Sequence, residues 1–202
     1  MSQIIGTMND ELLIGTITNE EFLAFAGSDT VDGAIGNDTI HGGKGFDILT
    51  GGFDNDLIFG GFDEDDINGG DGDDTLFDGD GVDDLFGGQG DDYLEGGDDN
   101  DELYGNKGKD TLTGGLGNDR VYGGQNDDLL LSGEGSDQFD GGNGFDKFIF
   151  GGDMPEINTA YLVNIEVIDL PVGVEIFTLE NNTKVANLGD DSVFFGGNVQ
   201  II

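Results

Sequence analysis

Aspartate recurs at every ninth residue between Ala24 and Ile149, and its carboxylates are the most regular chemical groups in the chain. When each nine-residue unit is numbered from Ala24, aspartate is always the sixth residue, and glycine dominates positions one, two and four. Glycine lets backbone carbonyl groups approach an ion closely. Carboxylate and carbonyl oxygens are the ligands that calcium prefers, so this spacing predicts a series of calcium sites. The fourteen repeat aspartates are Asp29, Asp38, Asp47, Asp56, Asp65, Asp74, Asp83, Asp92, Asp101, Asp110, Asp119, Asp128, Asp137 and Asp146.

The overall composition favours cations as ligands and excludes several other functions. Acidic residues number 44 against 6 basic residues, which gives a formal net charge of −38. Nucleic acid and anionic membrane surfaces would be repelled by this charge. The 202-residue chain has no cysteine, so thiolate zinc sites and disulfides are excluded. We also expect no membrane span, because the sequence has no run of about 18 apolar residues.

An apolar residue at position eight indicates how the repeats fold. Position eight is apolar in every unit, which predicts that it points inward while positions seven and nine point outward. A strand over positions seven to nine is too short to stand alone, so it must stack on its neighbours, with the first six residues forming the turn. The fourteen residues are Val31, Ile40, Leu49, Ile58, Ile67, Leu76, Leu85, Leu94, Leu103, Leu112, Val121, Leu130, Phe139 and Phe148.

The unit resembles the nonapeptide G-G-x-G-x-D-x-U-x of the RTX (hemolysin-type) calcium-binding repeat family, over about two thirds of the chain. The resemblance implies an all-β fold, a parallel β-roll (a right-handed β-solenoid) in which two repeats make one turn. It also implies multiple calcium ions between turns, held by the position-six aspartates and turn carbonyls. Alternate aspartates would then line opposite edges, Asp29 to Asp137 on one and Asp38 to Asp146 on the other. Seven carboxylates per edge leave six gaps, so at most about twelve ions would bind.

Three segments are predicted from the limits of the repeat. Residues 1–23 continue the register with Glu11 and Glu20 in place of aspartate, which is typical of a degenerate N-terminal cap. Residues 24–152 form the calcium-binding β-roll. Residues 153–202 are richer in β-branched residues, and strands are predicted within 161–170 and 172–179, forming a small C-terminal β cap. This tail resembles the flank that carries the type I secretion signal in RTX proteins, and the alternative is a hydrophobic cap only.

Departures from the repeat occur mainly at positions that need a left-handed backbone. Position four is Asp54, Asp63, Asp99 or Asn126 in four repeats, and Asp and Asn tolerate that conformation better than other non-glycine residues. On the outer faces, aromatic residues recur 18 residues apart: Phe86, Tyr104 and Tyr122 on one, Phe59 and Phe77 on the other. Stacking between strands is the favoured interpretation, and binding of a sugar ring is the alternative.

The repeat pattern predicts a calcium-binding protein that folds when calcium binds, and the resemblance to RTX proteins implies that it is secreted, extracellular and has a structural, surface or matrix role. The alternative is an accessory carbohydrate-binding module, or a non-catalytic partner of a polysaccharide-modifying enzyme. A polysaccharide or cell-surface partner is therefore left open. No enzyme activity is expected, because hydrolase and phosphate-binding motifs are absent and His41 has no catalytic partner. Met1 to Leu13 lacks the basic and apolar regions of a cleaved signal peptide.

Overall fold

The computed structural model describes residues 2–149 and, beyond them, the backbone of six short strands. The described part is all-β and contains no helix that could cross a membrane. The strands are β1 (Ser2–Ile5), β2 (Leu12–Ile14), β3 (Glu20–Leu23), β4 (Thr30–Ile35), β5 (Thr39–Lys44), β6 (Ile48–Phe53), β7 (Leu57–Phe62), β8 (Asp66–Asp71), β9 (Thr75–Asp80), β10 (Asp84–Gln89), β11 (Tyr93–Asp98), β12 (Glu102–Lys107), β13 (Thr111–Leu116), β14 (Arg120–Gln125), β15 (Leu129–Leu131), β16 (Gln138–Asn143), β17 (Lys147–Ile149), β18 (Glu156–Ile157), β19 (Leu162–Val163), β20 (Val167–Asp169), β21 (Glu175–Ile176), β22 (Lys184–Ala186) and β23 (Gln200–Ile201).

Consecutive strands alternate between two parallel sheets, which confirms the predicted β-roll. Odd-numbered strands from β1 to β17 follow one another in the first sheet, and even-numbered strands from β2 to β16 in the second. Each strand pairs with the strand 18 residues away, as Leu85 does with Leu103 and Leu94 with Leu112. Two nine-residue repeats therefore make one turn of the coil, so every second aspartate must return to the same edge.

The core is a single narrow row of apolar side chains between the two sheets. The position-eight residues from Val31 to Phe148 are at most 4% exposed, and Phe22 from the N-terminal segment joins them. With one large buried apolar side chain per half-turn, the roll has little hydrophobic surface to bury. The backbone ladders and the turns must therefore supply much of its order.

The strands are longer than the sequence predicts. Most span six residues, from position seven of one repeat to position three of the next, and position one points inward like position eight. In β10, for example, Leu85 and Gly87 are buried. The prediction of a three-residue strand was wrong, because glycine at positions one and two was taken only as a turn former. Only positions four to six remain as the turn.

Both ends of the chain extend the same sheets. β1 pairs with β3, and β2 with β4, so residues 2–23 form coils of the same roll. At the other end β20 pairs with β17, and β22 and β23 follow it in the first sheet. Strands predicted within 161–170 and 172–179 are found as β19, β20 and β21, and the remainder of those two segments lies outside the described residues.

Candidate calcium sites at the turns

The repeat aspartates form two buried columns, one at each edge of the roll. Each lies immediately before a strand, at position six, and none is more than 9% exposed. The backbone N–H of each repeat aspartate donates to Oδ1 of the aspartate 18 residues later wherever that residue exists, as from Asp29 to Asp47 at 2.8 Å. Glu11 and Glu20 start the two columns by donating to Asp29 and Asp38. Across all fourteen aspartates these N···Oδ1 distances lie between 2.6 and 3.1 Å.

The second carboxylate oxygen lacks a comparable partner. From Asp29 to Asp128, Oδ2 of all twelve repeat aspartates is buried and accepts no hydrogen bond. A buried ionised oxygen without a partner is strongly unfavourable, and proteins rarely leave one uncompensated. These buried oxygens therefore require a nearby positive charge, and they recur along both edges of the roll.

Carbonyl oxygens face the same space as Oδ2. A Cβ atom added at Gly42, position one of its repeat, would lie 2.5 Å from Asp47 Oδ2 and 2.8 Å from the carbonyl oxygen of Gly60 in the next coil. At Gly105 the corresponding neighbours are Asp110 Oδ2 and the Gly123 carbonyl oxygen. Glycine at position one thus leaves a gap in which a carboxylate and a carbonyl oxygen converge. This donor set suits calcium, which takes six to eight oxygen ligands.

The pKa values of the repeat aspartates also indicate that the turns favour a bound cation. Burial raises the pKa of Asp65, Asp92 and Asp101 to about 8, with neighbouring repeat aspartates contributing, while the backbone hydrogen bond to each opposes the rise. Burial likewise raises the pKa of Asp56 and Asp128 to about 7. Without a cation, these carboxyl groups are therefore stabilised in the protonated form.

Among the described residues, no side-chain cation pairs with the twelve repeat aspartates from Asp29 to Asp128. The ion pairs Lys109–Asp127 and Arg120–Glu102 involve exposed or half-buried side chains outside the columns. Nor do three or more His, Cys, Asp or Glu side chains in the described part form a group able to hold a metal by themselves. Any ion in the columns must therefore be held jointly by carboxylates and backbone carbonyl oxygens.

The turn residues adopt the conformation that the sequence predicts. Asp54, Asp63, Asp99 and Asn126 at position four have φ between 72° and 82°, in the left-handed region. The turns in which these residues replace glycine therefore keep the same path. Position two has the same requirement, and Phe25, Ala34 and Asn106 have φ between 73° and 78° there.

Aromatic ladders stand on both outer faces. Phe86, Tyr104 and Tyr122 stack with centroid separations of 5.0 and 4.8 Å, and Phe59 stacks on Phe77 at 5.4 Å. His41 extends the second ladder by stacking on Phe59 at 4.8 Å. This contact was not predicted, although the 18-residue spacing of His41 and Phe59 was a signal for it. The ring contacts match the favoured interpretation of cross-strand stacking.

One acidic residue was not predicted to be buried. Asp78 occupies position one of its repeat, where most units have glycine, and is only 4% exposed. The available signal was the replacement of that glycine, but a sequence does not reveal which way position one points. Asp78 lies close to the repeat aspartates Asp65 and Asp83, whose charges help to raise its pKa.

Comparison with known proteins agrees with this geometry. The family model for the RTX calcium-binding nonapeptide repeat matches nine overlapping stretches that together span residues 5–148. No curated protein was found to match the chain. Since the matched stretches cover more than half of the sequence, and the roll has the expected 18-residue pairing, the chain belongs to the RTX calcium-binding nonapeptide repeat family.

Proposed function

We propose that the fourteen repeat aspartates are the side-chain ligands of calcium ions stacked along both edges of the roll. The observation that carries this proposal is the row of buried Oδ2 atoms without hydrogen-bond partners. Oδ1 of each aspartate ties two coils together, so Oδ2 is the oxygen left for an ion. Turn carbonyls such as that of Gly60 would supply further ligands.

Calcium would also make the folded state electrostatically possible. Six gaps on each edge would take about twelve ions, and these would neutralise 24 of the 38 net negative charges. Because binding free energy becomes folding free energy when the site exists only in the folded state, we propose that calcium drives folding.

The number of bound ions tests this assignment. Equilibrium dialysis of the full chain at several millimolar calcium should give about twelve ions per chain, with magnesium as the control at the same concentration. Magnesium demands stricter octahedral geometry and loses its waters reluctantly, so few magnesium ions should bind. A count of one or two calcium ions would rule out the columns as the binding sites.

We propose that residues 1–23 are a cap whose turns need no calcium. Oε1 and Oε2 of Glu20 accept hydrogen bonds from Thr16 and Thr18, and Ser2 Oγ donates to Oε1 at 3.2 Å. The bond from Thr18 is the largest cause that lowers the pKa of Glu20. In the other column, Thr7 donates through its backbone N–H and hydroxyl to Glu11 at 2.6 and 2.7 Å. Each glutamate thus obtains, mainly from threonines of its own turn, the donors that Oδ2 lacks in the repeat aspartates from Asp29 to Asp128.

We further propose that the protein acts outside the cell as a structural, surface or matrix component. Extracellular calcium modules bind at about 10⁻⁴ to 10⁻³ M, far above the calcium level of a cytosol, so the chain would fold only after export. Fractionation of producing cells would test this location: the chain should be recovered from the medium or released from the cell surface by a calcium chelator. Recovery from the cytosol alone would contradict it.

A further inference from the structure

Asp78 places a carboxylate inside the roll at a position that normally carries no side chain. It lies in β9 at position one, where eleven of the fourteen repeats have glycine. Although it is charged in water, it is only 4% exposed, and neither Oδ1 nor Oδ2 has a hydrogen-bond partner. A buried carboxylate with two unsatisfied oxygens requires a compensating ligand.

The Asp78 carboxylate points into the gap between two repeat aspartates. In a regular turn, the space at Gly42 is bordered by Asp47 Oδ2 and by a backbone carbonyl oxygen of the next coil. At Gly60, one coil before Asp78, a Cβ atom would instead contact Asp78 Oδ1 and would lie 2.8 Å from Asp65 Oδ2. The side chain of Asp78 therefore brings a carboxylate oxygen where other turns offer a carbonyl oxygen.

On its other side, Asp78 approaches the next repeat aspartate of the same column. The carboxyl group of Asp83 lies within hydrogen-bonding reach of Asp78, but two ionised carboxylates cannot donate to each other, and the charges of Asp65 and Asp101 also act on Asp78. A shared cation would remove the repulsion within this group.

We propose that Asp78 is an additional ligand of the calcium ion between Asp65 and Asp83, which makes this gap the tightest cation site of the roll. The inference rests on the proposed function of the repeat aspartates. No other position-one residue of the fourteen repeats is acidic, so this gap alone has an inward carboxylate beyond the two repeat aspartates. Backbone carbonyl oxygens would complete the ligand set, because calcium takes six to eight oxygen ligands.

Competition between the full chain and a fluorescent calcium chelator tests the proposal with two variants. Asp78→Gly restores the residue that most repeats have at this position and should fold, whereas Asp78→Asn keeps the size and removes the charge. Both should weaken the tightest calcium-binding step by about tenfold or more, because a third carboxylate near the ion is lost. The total number of bound ions should stay unchanged, since Asp65 and Asp83 remain.

Asp80→Asn is the matched control, because Asp80 lies two residues away in β9, is exposed and has the same charge. Its tightest step should change by less than about twofold, as expected for a screened surface charge. The proposal is overturned if Asp78→Gly and Asp78→Asn bind their first ion as tightly as the wild type or more tightly. That result would leave the repeat aspartates in place as ligands, whereas a wild-type chain that binds no calcium would reject both proposals.

Discussion

At the residue scale, the two oxygens of a repeat aspartate differ: Oδ1 joins consecutive coils, and we propose that Oδ2 binds calcium. Oδ1 of Asp92, for instance, accepts the backbone N–H of Asp74 at 2.8 Å and so joins consecutive coils. Oδ2 of the same residue is buried without a hydrogen-bond partner. Asparagine keeps an oxygen that can accept the backbone N–H but removes the negative charge that calcium binding would need. An aspartate-to-asparagine substitution therefore tests the two roles separately.

We therefore expect Asp92→Asn to fold with calcium but to need more of it. The substitution should raise the calcium concentration at half-folding roughly twofold or more, because Asp92 borders two ion gaps of its column. Circular dichroism during calcium titration would measure this midpoint, and equilibrium dialysis would show whether up to two ions are lost.

Asp98→Asn is the control for Asp92→Asn, since Asp98 is exposed and lies in the strand that follows Asp92. It removes the same charge without touching a column, so its midpoint should stay close to that of the wild type. Equal midpoint shifts in the two variants would mean that net charge, not ligation, sets the calcium requirement.

A pH dependence follows from the raised pKa values. Burial raises the pKa of Asp65, Asp92 and Asp101 in the folded chain to about 8 from an ordinary value of 3.8. Without calcium, the folded roll binds protons more tightly than the unfolded chain, so it gains stability as pH falls from about 8 towards 4. The gain is complete below the unfolded pKa and is lost as pH rises through the folded pKa.

Far-UV circular dichroism in calcium-free buffer would test this dependence. The calcium-free chain should contain more β structure at pH 5 than at pH 8. Calcium binding should have the opposite pH dependence, because protons compete with calcium for the same oxygens. The calcium concentration at half-folding should therefore be higher at pH 5 than at pH 8. A spectrum that does not change with pH in calcium-free buffer would show that the carboxylates are not buried in that state.

The repeat aspartates could be located from the sequence because their strict nine-residue spacing leaves few alternatives. All fourteen lie in two columns, and the 18-residue contacts between them follow from two repeats per turn. The direction of position one was not predictable, because glycine has no side chain from which periodicity can be detected. The inward placement of Asp78 was missed for that reason. The hydrogen bonds of Thr16 and Thr18 to Glu20 were also missed, because they depend on local turn geometry.

At the element scale, the strands are held by ladders along the coil. Apolar side chains at position eight form a ladder inside the roll. Aromatic side chains at position nine form one ladder on each outer face. The sequence predicted the pairing register and both aromatic ladders, because all repeat every 18 residues. It underestimated strand length, since a glycine-rich segment can be extended or turned and only neighbouring coils decide which.

Tyr104→Ala should destabilise the calcium-loaded roll. Tyr104 stacks between Phe86 and Tyr122, and its hydroxyl donates to Glu102 at 2.7 Å. Loss of both ring contacts should lower the free energy of unfolding by about 1–2 kcal/mol. Urea unfolding at saturating calcium would measure the change, while the number of bound ions should stay the same.

Tyr122→Ala is a useful comparison, because among the described residues Tyr122 stacks on Tyr104 alone. Its loss should cost less than that of Tyr104. If both substitutions leave the unfolding free energy unchanged, the ladders do not stabilise the roll, and a role in binding a partner would become the better explanation.

At the scale of the whole molecule, the fold combines a narrow core with a large negative charge. The apolar core and the backbone hydrogen bonds between coils favour the folded roll, whereas a net charge of −38 and the buried carboxylates oppose it. Ions bound along both edges would reduce the charge repulsion at every turn, so folding should be cooperative along the roll.

The most direct test is far-UV circular dichroism of the purified chain during calcium titration at neutral pH, with magnesium in parallel. The account predicts a chain largely without β structure in chelator and a cooperative gain of β structure at submillimolar to millimolar calcium, with no such change in magnesium. A chain that is already β-structured in chelator and does not respond to calcium would contradict it. The repeat aspartates would then stabilise the turns through Oδ1 alone.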